Sequence, residues 1–293
     1  MAIFDASKLN INFIKYRKIW LAISLVVMFI SVALLFTKGL NLSVDFTGGL
    51  VLQVKFEKSV EVAEVRKSLS SIGQGQATIQ AYDDRDILIR LQAQDEEVRK
   101  TVLDTLKKDF GTFSILKIDK IGPVVGKELR QQAIISIVLA LIGILIYMAF
   151  RFKFRFGVAA VFALLHDSLI MLGAYSLTGR EVSVTFIAAI LTIVGYSLND
   201  TIVIFDRVRE NWPQVKTMGI ETLVNTSINQ TLSRTINTSV TTLLPVLAMF
   251  IFGGEVISNF AFAFLVGIIV GTYSSIYVAV SAVVSLFLRS SKS

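Results

Sequence analysis

The sequence predicts an α-helical polytopic membrane protein with six transmembrane helices and one small α+β domain outside the membrane. Three observations carry that fold class. The 293 residues are 54% hydrophobic with a mean hydropathy of +0.68, which excludes an ordinary soluble domain. Apolar runs recur at 19–36, 133–150, 157–177, 184–205, 235–252 and 260–288, each close to the roughly 17–25 residues a helix needs to cross a bilayer. Finally, the stretch 37–132 is polar and alternates between strand and helix periodicity.

The first apolar run follows Lys15, Arg17 and Lys18, as a secretory signal would. It is too long for a signal core and ends without a small-residue cleavage site, so it is expected to stay as an anchor. Beyond it, residues 50–56 end in apolar/polar alternation and predict a strand. Val62, Val65, Leu69 and Ile72 lie at helical spacing, and Gly73 stops that helix. Strands are expected at 77–82 and 86–91 around the turn Asp83-Asp84-Arg85. A second helix over 96–110 buries Val98, Val102, Leu106 and Phe110, and a last strand over 113–121 uses Phe113, Ile115 and Ile118. The order βαββαβ is that of a ferredoxin-like sandwich. Its open sheet edges could accept an extended peptide by strand addition or be covered by other subunits. With no cysteine in the chain, no disulfide can hold it.

Five spans follow within 133–288. The longest, 260–288, contains Gly267 and Gly271 at a spacing suited to close helix packing, and the fifth contains Pro245. Basic residues fall on one side: Lys8, Lys15, Arg17 and Lys18; Arg151, Lys153 and Arg155; Arg207, Arg209, Lys216 and Arg234; Arg289 and Lys292. The alternate short loops hold only Arg180. This pattern puts residues 1–18 and 289–293 in the cytoplasm and the 37–132 domain outside. Location therefore accounts for the net charge of +7, and nucleic acid is not an expected partner. One histidine, no cysteine, no phosphate-binding glycine loop and no metal-ligand spacing argue against an enzyme, a cofactor or a metal site.

Asp200 is the candidate functional residue. It sits in the run Ile190-Leu191-Thr192-Ile193-Val194-Gly195-Tyr196-Ser197-Leu198-Asn199-Asp200-Thr201-Ile202-Val203. A charge at bilayer depth costs at least about 2.5–3.5 kcal/mol, so a carboxylate there implies a partner, a proton or a task. At about 1.5 Å per residue, Asp200 and Arg234 each lie roughly 10 Å from the cytoplasmic boundary, and Asp167 roughly 15 Å in. Equal depth makes Asp200 and Arg234 the expected pair. Arginine does not release its proton, so a carried proton would belong to Asp200. Asn199 could orient Asp200 or pack the bundle, while Thr238, Thr241 and Thr242 are expected to act as interhelical glue. His166 and Asp167 point about 100° apart as helix neighbours and are not expected to form a dyad, yet with Asn199 they join Asp200 and Arg234 as candidate ion-coupling residues, one polar cluster at similar depth on three spans. Asp206, Arg207, Arg209 and Glu210 form a charge cluster at the cytoplasmic boundary.

Four segments resemble the SecF family of bacterial protein-export membrane proteins. They are Val44-Asp45-Phe46-Thr47-Gly48-Gly49; Leu165-His166-Asp167; Gly195 to Val203 with Asp206-Arg207-Val208-Arg209-Glu210-Asn211; and Asn229-Gln230-Thr231-Leu232-Ser233-Arg234-Thr235. The resemblance implies half of an RND-type twelve-helix bundle, completed by SecD in the inner membrane. It also implies work on unfolded preproteins beside the SecYEG channel, with YajC and YidC as further partners, driven by a proton or sodium gradient. Asp200 and Arg234 occupy the positions the family associates with ion coupling, while Asp45, Gly48, Gly49, Gly195, Asp206 and Arg207 belong to its motifs. Two other readings fit the same residues: an RND-like half-transporter for a lipid or small molecule, and a passive subunit in which Asp200 and Arg234 fix helix register.

Overall fold

A computed structural model describes residues 11–92, 95–152 and 154–290. Lys8, Lys153 and Lys292, three of the charges used for orientation, lie outside them. In chain order the elements are α1 (Arg17–Thr37), β1 (Asn41–Leu42), α2 (Val44–Thr47), β2 (Gly49–Phe56), α3 (Val62–Ser71), β3 (Thr78–Ala81), β4 (Asp86–Leu91), α4 (Glu96–Phe110) and β5 (Phe113–Ile121). Then come α5 (Pro123–Arg151), α6 (Phe154–Thr178), β6 (Glu181–Val182), α7 (Val184–Asn211), α8 (Val215–Phe252), α9 (Gly254–Ser274) and α10 (Val280–Ser290).

Five continuous helical runs are long and apolar enough to cross a membrane. One of them covers 69 residues, Val184–Phe252. At about 1.5 Å per residue that is roughly 100 Å, over three times the hydrocarbon thickness. It folds back on itself instead: a short turn at Trp212–Gln214 and a left-handed Gly219 (φ 75°) separate α7 from the membrane part of α8, and the two pack together. The last run joins α9 to α10 through a π-helical turn, Ser275–Ala279, rather than ending inside the apolar stretch.

Burial orders the bundle. Over half of the apolar window is buried in α6 and in the last run (56% each), against 6% in α5 and 11% in α1. So α6, α7 and α9 form the centre, and α1 and α5 offer apolar flanks to lipid or to another subunit. Small residues set the close contacts: a Cβ on Gly267 would fall 2.6 Å from Ile193 Cγ2, and one on Gly271 would fall 2.9 Å from Ser197 Oγ. Both separations are too short for real atoms, so α9 lies against α7 only because these two positions are glycine.

Outside the bundle, β2 to β5 form an antiparallel sheet in the order β3-β4-β2-β5. Leu50, Leu52, Val54 and Phe56 of β2 point to one face with Ile87, Ile89 and Leu91, and bury against Val65 and Leu69 of α3 and Val102 and Leu106 of α4. The edge strand departs from expectation. Ile115 and Ile118 oppose the fully buried Val54 and Leu52 yet are 44% and 41% exposed. A register shift at Gln53/Val54 turns β5, whose buried neighbours lie on one side only. Helix α5 begins at Pro123, ahead of the apolar run at 133, and its first turn packs on α2 with Gly126 against Gly48 and Phe46.

Candidate functional site

Asp200 lies on the buried face of α7, 3% exposed, with Ser197, Thr201 and Ile204 on the same face. Its Oδ2 is buried without a hydrogen-bond partner. From α8, the Thr238 side chain faces the carboxyl, with Arg234 one helical turn before it on the same helix. Equal depth makes Asp200 and Arg234 a pair without fixing contact; among the described residues no ion pair joins them, and Arg234 is exposed on α8.

Asn199 is also exposed and makes no hydrogen bond with Asp200 among the described residues. With Thr192 and Gly195 it forms an outward stripe at helical spacing on α7, and nothing lies within 4 Å of a Cβ built on Gly195. The exposed Arg234 and Thr241 continue polar character on α8. Tyr196 ties the two helices, its hydroxyl donating to Thr238 O (3.1 Å) and lying 3.0 Å from Thr242 Oγ1. The threonines of α8 thus act in part as expected, as glue.

His166 and Asp167 correct the sequence reading. Although consecutive on α6, they meet, with Nδ1 2.9 Å from Oδ1, and both are buried (0% and 1% exposed). A sector of 100° lies wholly inside the bundle when a helix is central, so both side chains extend into the same packed space and converge. Asp167 Oδ2 accepts from Ser197 Oγ of α7 (2.7 Å) and Ser274 Oγ of α9 (2.8 Å). The His166 ring stacks at 6.2 Å on Tyr273, whose hydroxyl donates to Trp20 O (2.9 Å) and meets Ser24 Oγ at 2.8 Å. Thr201 meets Ser275, first residue of the π turn, at 2.8 Å. One buried polar network therefore spans α1, α6, α7 and α9. Ser197, Ser274 and Tyr273 were not singled out from the sequence; the only local signal was that Ser197 lies three residues from Asp200 and Ser274 three from Gly271, and Tyr273 carried none.

The remaining motif residues sit at the two ends of α7. At its N-terminus, Asp45 Oδ2 accepts from Val184 N (3.2 Å), while Gly48 and Gly49 adopt φ of 73° and 148°. A Cβ on Gly49 would fall 2.3 Å from Leu91 O, so only glycine allows this approach. At the other end, Asp206 accepts from Arg151 Nη2 (2.9 Å) and pairs with Arg209 (2.8 Å), joining α5 to α7; Arg207 pairs with Glu210 (2.8 Å) on the exposed side.

Comparison with known proteins fits this arrangement. A family described as protein export membrane protein SecD/SecF, C-terminal, matches residues 101–289, and the SecD/SecF GG motif matches 33–60. The protein translocase subunit SecF of Desulfurispirillum indicum is 47% identical over 280 residues, covering 92% of this chain and 89% of that one. The Pseudomonas aeruginosa SecF is 42% identical over 284 residues, covering 96% and 93%. Among solved structures, SecDF, a translocon-associated membrane protein from Thermus thermophilus, superposes with a TM-score of 0.88 at 42% identity over 98% of this chain. SecDF in a super-membrane-facing form gives 0.77 at 42% identity over 100% of it. The chain spans 40% of the length of each of those solved chains.

Proposed function

The chain belongs to the SecF family of protein translocase subunits, within the wider SecD/SecF family of export membrane proteins, and from that we propose that it is an ion-coupled, multi-pass inner-membrane subunit that helps preproteins leave the cytoplasm. The family is one of translocase subunits rather than enzymes. In our reading six helices cross the membrane, α7 and α8 of the Val184–Phe252 run counting separately, with both termini cytoplasmic. The domain between the first two spans is ferredoxin-like and lies outside.

The observation that carries the reading is Asp200: a carboxylate buried in an apolar helix, with one oxygen unpartnered and an arginine on the next helix. A fixed structural charge in that setting would be expected to hold a full set of hydrogen bonds. Asp167 does hold such a set, with both carboxyl oxygens hydrogen-bonded, and by comparison is the structural group. Asp200 is therefore the group that gains and loses the ion, a proton in our reading. One elementary charge crossing 100 mV releases about 2.3 kcal/mol, enough to bias a domain rearrangement and too little to drag a folded protein, so many cycles are needed.

The exposed stripe of Thr192, Gly195 and Asn199, next to Arg234, supports a SecD-type partner as the other half of the bundle. Polar side chains at this depth do not face lipid. The SecYEG channel, YajC, YidC and the unfolded preprotein are the further partners of this reading. The two solved relatives match to different degrees at equal identity, which supports a fold that visits more than one arrangement.

The test is export into inverted membrane vesicles with and without an imposed gradient, against pH and sodium. Asp200→Asn is expected to assemble normally and to export at the rate seen without a gradient. Gradient-dependent export that persists in this variant would overturn the mechanism.

A further inference from the structure

The motif Val44-Asp45-Phe46-Thr47-Gly48-Gly49 is far from Asp200, yet it closes the outer end of the same helix. Helix α7 has Ser183 at its N-cap position, and that side chain makes no capping hydrogen bond. The Val184 N–H is instead taken by Asp45 Oδ2, from a segment 139 positions earlier. A carboxylate at a helix N-terminus satisfies an open donor and meets the positive end of the dipole.

Three more ties reach the residues just ahead of α7. β1 pairs in parallel with β6, Asn41 with Glu181 and Leu42 with Val182, and Ser43 N donates to Val182 O at 2.9 Å. From the sheet of the outer domain, Arg90 Nη1 lies 2.8 Å from Glu181 Oε2, with only 15% and 9% of the two side chains exposed. Gly49 makes this geometry, because its backbone sits against Leu91 O, beside Arg90. The interior of α7 carries no break in helical geometry between Val184 and Asp200.

We propose that Asp45 is a positioning residue that couples α7 to the outer domain. Its carboxylate caps α7 in trans, the Arg90–Glu181 pair holds the sheet to the same point, and a shift of α7 at Asp200 moves the domain. This inference rests on the ion-coupling reading of Asp200.

The chain has no cysteine, so a spin-label pair can be placed without background from it. Lys108→Cys on α4 and Leu177→Cys at the outer end of α6 are both exposed. In a cysteine-free complex with the partner half, their distance is read by pulsed EPR at acidic and alkaline pH. Difference infrared spectroscopy follows carboxyl protonation, with Asp200→Asn as the reference. The distance is expected to shift with pH in the parent. The shift should vanish in Asp45→Ala while the Asp200 infrared band persists, and it should survive in Asp45→Asn, whose amide oxygen accepts the same N–H. Arg90→Glu should lose the shift, and Arg90→Glu with Glu181→Arg should regain it, which separates coupling from misfolding. A full shift in folded Asp45→Ala overturns the inference and leaves the ion site standing. A parent that shows the Asp200 band but no shift overturns it too, whereas a parent without the band overturns the ion-site reading beneath it.

Discussion

His166 Nδ1 lies 2.9 Å from Asp167 Oδ1, so two consecutive residues of α6 meet each other and, through Asp167 Oδ2, the serines of two further helices. Asp167 is consequently the hub of the buried polar network. Asp167→Ala would strip three donors of their shared acceptor inside the membrane, and should destabilise by about 3–5 kcal/mol. Ser197→Ala removes one of the hydrogen bonds to Asp167 and should lose about 1–2 kcal/mol. Thermal unfolding of the purified protein in detergent ranks the two. Equal midpoints would deny Asp167 its central place.

The glycines of α7 and α9 should part company on substitution. Gly267→Val must push Ile193 aside and separate α9 from α7, with an expected loss of about 1–3 kcal/mol for overpacking. A Cβ at Gly195 meets no atom within 4 Å, so Gly195→Leu should leave the melting temperature of this chain nearly unchanged. It should instead weaken co-purification with the partner half, whose helices are proposed to cover that stripe. If Gly195→Leu assembled as well as the parent, the stripe would not be the interface.

Much of this architecture was legible in the residues, because the periodicities are local. Strand β4 and helix α4 begin and end where alternation and glycine placed them, at Asp86–Leu91 and Glu96–Phe110. What was not legible depends on which faces meet. Equal depth suggested an Asp200–Arg234 pair, but depth carries no azimuth, and Arg234 turns outward. The 100° between His166 and Asp167 argued against a dyad, but that angle ceases to separate side chains once the whole helix is enclosed. The Asp45 cap on Val184 and the Arg90–Glu181 pair join residues so distant in sequence that no spacing could reveal them.

In the four-stranded sheet, the turn between β3 and β4 is organised by Asp83, whose Oδ1 accepts from the backbone of Arg85 (2.7 Å) and Asp86 (2.8 Å). Those two bonds hold its carboxyl below the usual carboxylate range. A folded pKa depressed below the unfolded value of about 3.9 gives stabilisation present above that pH and lost as pH falls through the folded value. Amide protection at Arg85 and Asp86, taken relative to the intrinsic exchange rate at each pH, should therefore be high near about pH 5 and fall as pH drops below about 4. In Asp83→Asn the amide oxygen still accepts these bonds and cannot titrate, so the acid-induced loss of protection should disappear. Protection that falls equally in both would show that Asp83 does not control the turn.

Arg234 makes no direct ion pair with Asp200 among the described residues, and this distinguishes two ways of using a guanidinium. A bidentate clamp on a carboxylate needs the planar fork, and lysine cannot replace it. A field effect at longer range needs only the positive charge. Arg234→Lys should then keep gradient-dependent export within about threefold of the parent, equivalent to under about 1 kcal/mol. Arg234→Gln, which keeps polarity and loses charge, should abolish the gradient-dependent part. Vesicle export at several pH values measures both, with co-purification of the partner half confirming that each variant assembles. A loss in Arg234→Lys as complete as in Arg234→Gln would mean that the guanidinium closes on Asp200 during the cycle, in an arrangement other than the one seen here.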